Sequence, residues 1–155
     1  MNKRTPFTHF DVILFHKPCN VLCQFTDAEN RPNLSHYIRT PDFYACGRLD
    51  RDSEGLLILS NNGKFQHLIS DPQQKLKKTY WIQVEGKPDS SALQKLRTGI
   101  VLKDGPTRPC SIRSIPEPQI QARIPAIRVR KNIATRWIEI TLTEGRNRQI
   151  RRMTA

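Results

Sequence analysis

No two of the four cysteines form a C-x-x-C pair. Cys19, Cys23, Cys46 and Cys110 are scattered, and the gap between the first two has no second ligand pair near it. That spacing does not support a zinc site. Single thiols of this kind suit a reducing compartment, where they act as small buried hydrophobes. The four histidines, His9, His16, His36 and His67, show no ligand spacing either. Long apolar runs are missing, and the opening MNKRTPFTHF has no apolar h-region. The expectation is therefore a cytoplasmic protein without signal peptide or membrane span. Internal repeats and low-complexity segments are absent as well. Acidic residues are scarce: 14 Asp and Glu stand against 26 Lys and Arg, giving net charge +12 and a pI near 10.1.

A field of that sign favours polyanions, because each phosphate contact releases condensed counterions. Acidic membranes and acidic proteins are attracted by the same field, so charge puts nucleic acid first among partners without excluding these. With 37% hydrophobic residues, 155 residues fit one domain able to bury a core without disulfides or metals.

Val12–Phe15 and Val21–Phe25 read as two strands around a turn, and residues 33–38 as a short helix. Phe43–Cys46 is strand-like. Gly55–Ser60 is a continuous apolar run of the kind buried on both faces. A helix is expected over Lys64–Ile69. Thr79–Val84 alternates, with Tyr80, Ile82 and Val84 on one face and Trp81 and Gln83 on the other. Asp89 or Ser90 can cap a helix through Leu93 and Leu96 that ends at Gly99. Further strands are expected at Ile100–Leu102, Cys110–Ile115 and Trp137–Leu142, with Pro116–Ala134 a long exposed connection. With Asn147 as cap, a last helix starts at Arg148. The class is α+β: a mixed, mostly antiparallel central sheet flanked by helices.

The densest signal is Gly47-Arg48-Leu49-Asp50-Arg51-Asp52-Ser53-Glu54-Gly55-Leu56-Leu57-Ile58-Leu59. On its residues alone it is a charged turn feeding a strand. Asp50, Asp52, Glu54 and Gly55 match the first half of a calcium-binding EF-hand loop, but the twelfth position is Asn61, where a bidentate Glu is needed, and the flanks read as strands. A magnesium nuclease would need a second acidic cluster, and none is offered.

The same block resembles the catalytic motif of the pseudouridine synthases, in the branch that modifies ribosomal small- and large-subunit RNA. Two more blocks follow in the family's order: Lys78–Gly86 is similar to its tyrosine-bearing strand, and Glu144–Met153 to its third motif. Lys17-Pro18 and residues 24–27 bring it nearest to the E-type large-subunit group. The resemblance implies that Asp50 is the catalytic carboxylate, that Tyr80 packs on the target uracil and can take the proton from its C5, and that Arg151 pairs with Asp50. It further implies that Arg48 lies beside the flipped nucleotide, that large-subunit ribosomal RNA is the substrate, and that no cofactor, metal or obligate protein partner is needed. Isomerising uridine consumes no water, redox equivalent or energy source.

Basic residues form a second layer of expectation. Lys78, Arg128, Arg130, Lys131 and Arg146 are candidate RNA contacts. Arg148, Arg151 and Arg152 share one helical face, with Ile150 and Met153 on a core-facing stripe. The same residues also suit a solvated surface. Trp81 and Trp137 read as core or sheet surface rather than as base platforms. Residues 1–9 read as a basic extension and residues 10–155 as the catalytic domain, incomplete at its C-terminus and without an S4-like module. A rival expectation is an RNA-binding fragment that has lost turnover with its missing C-terminus.

Overall fold

The computed structural model describes residues 11–128 and 130–155; the expected extension over residues 1–9 and the Val129 member of the basic run lie outside the described residues. In chain order the strands are β1 (Val12–Lys17), β2 (Tyr44–Ala45), β3 (Gly55–Ser60), β4 (Lys78–Glu85), β5 (Val101–Leu102), β6 (Gly105–Pro106), β7 (Ser111–Ile115) and β8 (Thr135–Leu142). The helices are α1 (Gly63–Ser70), α2 (Ser90–Thr98) and α3 (Gln149–Met153). Every ladder between these strands is antiparallel, as the α+β reading requires. The strands close over two apolar clusters, and the chain divides into two compact units. One unit reaches to Asp71 and takes in Arg123–Pro125; the other holds Pro72–Ala122 and Ala126–Ala155.

In the first unit the sheet order is β1-β3-β2. Ile13 and Phe15 stand opposite Leu59 and Leu57, and this side packs on Leu34, Ile38 and Phe43. The continuous apolar run of β3 is therefore buried on one face only: Leu57 and Leu59 are 3% and 0% exposed, whereas Leu56 is 62% exposed. Val21–Phe25 is not a strand. Asn20 adopts a left-handed φ of 63°, which turns the chain. Beyond it Leu22 N–H donates to Pro32 O and Leu34 N–H to Gln24 O, while the hydrogen bonds of β1 go to β3. The expected short helix is a single 3-10 turn, Leu34–His36. Asn33 Oδ1 accepts Ser35 N–H and His36 Nδ1 accepts Asn33 N–H, satisfying two donors that the turn leaves open.

In the second unit the order is β4-β8-β7. Ile112, Ile138, Ile140 and Leu142 are buried, with Tyr80, Ile82, Val84, Leu93 and Leu96 packed on them. Asp89 caps α2 by accepting Ala92 N–H at 2.7 Å. At its other end Gly99 has φ 100°, and a Cβ there would stand 2.6 Å from Thr107 O, so only glycine fits. Full burial of each isoleucine contributes about 1.5–3 kcal/mol relative to exposure, so the sheet face fixed by alternation is what holds this unit together. Among the described residues of Pro116–Ala134 there is no helix or strand before Thr135 and most side chains are exposed.

Candidate active site

Asp50 lies half-buried in the loop between β2 and β3, with Arg48 exposed two residues before it. The loop is pinned at several points. Leu49 N–H points to Cys23 Sγ at 3.3 Å, and Cys19 Sγ lies 3.7 Å from Asp52 O. Ser53 N–H donates to Asp50 O at 3.1 Å, closing a turn, and Gly55 with φ 124° lets the chain enter β3. Beneath sits Lys17, 0% exposed, whose Nζ donates to Val21 O and Pro18 O at 2.8 Å and to Arg51 O at 3.3 Å. Burial pushes the Lys17 pKa below 10.5, while the charges of Cys23, Cys19, Asp52 and Glu54 pull it back up. Sequence reasoning used Lys17 only as part of a motif. Its structural signal was the period-two series Ile13, Phe15, Lys17, which puts a lysine on a core-facing side.

Tyr80 and Arg151 belong to the second unit. Tyr80 is half-buried in β4 opposite Ile140 and packs against the core cluster. Arg151 is exposed on α3, where Met153 is buried and Ile150 packs beside it, as the stripe predicted. The helix starts one residue later than expected. Arg148 occupies the cap position in the left-handed region, φ 48°, with no side-chain cap bond. Gln149, missed by sequence reasoning, organises this end instead. It is buried; its Nε2 donates to Glu144 Oε1 at 2.6 Å and its Oε1 accepts Arg146 N–H at 3.0 Å. For Glu144 burial favours the neutral form, but the Arg108 N–H, Gln149 and Arg146 outweigh it and the pKa falls below 4.5.

The expected RNA-binding cations differ in their surroundings. Arg146 is drawn inward, donating to Gly105 O, to Pro106 O and toward Glu144. Arg152 makes a two-pronged pair with Asp104, at 2.8 and 3.1 Å, and this guanidinium holds the Asp104 carboxyl below its usual 3.8. Both arginines thus tie the β5-β6 ribbon to the segment entering α3. Arg148 is exposed, as are Arg128 and Lys131; Arg130 pairs with Glu85 at 3.0 Å. Lys78 opens β4, its Nζ 3.4 Å from Leu76 O. No three of His, Cys, Asp and Glu converge into a metal-holding group among the described residues. No helix among them is long and apolar enough to cross a membrane.

A carboxylate on a pinned loop, a tyrosine on the strand of the next unit, and an arginine-rich terminal helix, in that order along a basic chain, define a class. The RNA pseudouridylate synthase pattern matches residues 11–155, and the chain belongs to that family. Among its relatives, ribosomal large subunit pseudouridine synthase E of Vibrio parahaemolyticus is 53% identical over 144 residues, covering 93% of this chain and 60% of the relative. The E-type protein of Xanthomonas axonopodis pv. citri is 51% identical over 147 residues, covering 93% and 77%. Ribosomal large subunit pseudouridine synthase B of Bacillus subtilis is 34% identical, covering 90% and 53%. The chain thus spans about 60% of the length of the Vibrio relative. A crystal structure of a pseudouridylate synthase shares the fold, with TM-score 0.75 at 22% identity, covering 94% of this chain and 56% of that one.

Proposed function

We propose that this chain carries the catalytic machinery for isomerising a uridine of large-subunit ribosomal RNA to pseudouridine. The observation that carries the reading is the loop at Asp50. It offers a half-buried carboxylate on a backbone tied at Leu49, Arg51 and Asp52 to the floor of its own unit. A carboxylate serves as a nucleophile or base only when ionised and positioned, and a pinned loop removes the entropy of positioning it. Its relatives' names, ribosomal large subunit pseudouridine synthases E and B, support the choice of RNA.

The chemistry needs little else. The bond between N1 and C1′ breaks, the uracil turns, and C5 joins C1′; the proton leaves C5 and N1 ends protonated, so nothing is consumed. Asp50 engages the nucleotide by one of three routes: adding to C1′, adding to C6, or taking the 2′ proton to give a glycal. Tyr80 packs on the uracil and takes the C5 proton. Arg151 is the arginine that the family pattern assigns as the partner of this carboxylate. Because the base must be extruded from folded RNA at a cost of a few kcal/mol, Arg48 stacks beside the vacated position and offsets part of that.

Tritium release from large-subunit ribosomal RNA labelled at uridine C5 tests the reading directly. Release by the chain, with none from Asp50→Asn at nearly unchanged RNA affinity, is the expected result. Turnover retained in Asp50→Asn removes Asp50 from its role. RNA binding with no release by either protein assigns the chain as a binder without turnover.

A further inference from the structure

We propose that the solvent face of the β4-β8-β7 sheet is a second RNA contact, where a base of a single-stranded segment stacks on Trp81 and the adjoining phosphate is held at a groove beside Lys77. The polymer class rests on the reading above; the residues do not include Asp50, Tyr80 or Arg151.

The argument starts from alternation. With Tyr80, Ile82 and Val84 packed on the core, Thr79, Trp81 and Gln83 fall on the opposite face. Antiparallel register then assembles rows across the three strands. Trp81, Glu139 and Arg113 form one row, and Thr79, Thr141 and Ser111 form the next. In the first row the Trp81 indole reaches to β8 and its Nε1–H donates to Glu139 Oε2 at 3.0 Å, while Arg113 Nε donates to Oε1 at 2.7 Å. The ring is thereby fixed in orientation while Trp81 remains 52% exposed. A fixed, half-exposed aromatic loses little entropy when a planar group stacks on it, and every base offers a π-face.

The second row supplies the polar end. Thr79 and Thr141 hydroxyls are 2.8 Å apart. Together with Lys77, Arg97, Ser111 and Thr143 they line an open groove of about 540 Å³. The two rows are separated by two residues of strand, about 7 Å, within the reach of one nucleotide from its base to its phosphate. The charge on this face is complementary to a polyanion. Its acids, Glu139 and Glu85, already pair with Arg113 and Arg130, so Lys77 and Arg97 leave it net positive. The row on the other side of Trp81, Gln83, Trp137 and Ile115, adds a second, half-buried indole, so the face presents hydroxyls, an amide and cations around two tryptophans.

The test uses the whole chain and an oligouridylate of about 10 nucleotides. Indole emission should be quenched on binding, and most of the quench should be lost in Trp81→Phe, where only Trp137 of the adjoining row remains as the reporter. Trp81→Ala, with an unchanged circular dichroism spectrum, should weaken binding about tenfold or more, and Trp81→Phe should keep most of the affinity because stacking needs only a ring. Lys77→Gln should flatten the slope of log K against log salt by about 0.7. If Trp81→Ala binds as tightly as the parent while tritium release persists, the platform is overturned and the enzymatic reading stands. Trp81→Phe losing as much as Trp81→Ala also overturns it, since the indole N–H rather than stacking is then what matters. Retained RNA affinity with loss of a protein contact assigns the face to a protein and overturns it equally. Neither RNA binding nor tritium release by the parent removes the functional reading along with the platform.

Discussion

Lys17 is a buried ammonium bonded to the loop that carries Asp50. An ammonium has three hydrogens, and the Nζ has three carbonyl partners, on Pro18, Val21 and Arg51. Burying a charge is costly unless every donor is satisfied, so the arrangement works only as a complete set. The third partner is the carbonyl of Arg51, the residue after Asp50, which makes Lys17 a positioning residue for the loop. Lys17→Met keeps the apolar stem but leaves three carbonyls without their donor. We expect a loss of about 3 kcal/mol in urea unfolding, with tritium release falling in the folded protein. Lys17→Arg should rescue poorly, because a planar fork cannot point at three converging oxygens as an ammonium does. A stability change below about 1 kcal/mol would mean that water replaces the lysine at little cost.

At the scale of elements, legibility follows from how local the deciding interaction is. β4 was readable because alternation is a property of its own residues, and Trp81 and Tyr80 fall on opposite faces as the period-two pattern says. The caps at Asn33, Asn62 and Asp89 bond a backbone N–H two or three residues ahead; of these only Asp89 was read as a cap from the sequence, and the cap expected at Asn147 falls on Arg148 instead. Val21–Phe25 was misread because strand partners are chosen at long range: β1 pairs with a segment some forty residues on. A continuous apolar run such as Leu56–Leu59 cannot say which half is buried. The candidate site residues were chosen by type and order alone; Lys17 left a period-two signal, but its carbonyl partners, like the partners of Gln149, are brought in by the fold. The 24–34 segment offers a test of such a locally organised element. Asp27 accepts from Arg31 Nε and Nη2, from Arg31 N–H and from Glu29 N–H. The Arg31 side chain foremost, then its N–H, lowers the carboxyl from 3.8 to about 2. A carboxyl depressed in the folded state adds stability above its unfolded pKa, and that contribution is lost as pH falls through the folded value. The stability difference between the parent and Asp27→Asn should therefore be constant above pH 4 or so and shrink toward zero between the 3.8 and about 2 of that carboxyl. Paired urea titrations across that range would read it, and a difference independent of pH would show that the loop is held by geometry rather than by charge.

Over the whole molecule, net charge +12 sets how RNA affinity responds to salt, but the cations do not contribute alike. Arg152 and Arg146 are committed to Asp104 and Glu144, so moving either to a phosphate means breaking an ion pair first. Arg128 and Lys131 are exposed on the connection before β8. Counterion release makes log K fall linearly with log salt, by about 0.7 per phosphate contacted on a single strand. If Arg128 and Lys131 each grip one phosphate, replacing both by Gln should flatten the slope by about 1.4 and weaken binding about equally for all sequences. Arg152→Gln should leave the slope unchanged and lower stability instead, because it removes a tie between the β5-β6 ribbon and α3 rather than a contact to RNA. Titrations at several salt concentrations with these variants separate the two kinds of cation. A slope that flattens for Arg152→Gln and not for the double variant would place the RNA on the terminal helix, and would mean that the Asp104 pair opens when RNA binds.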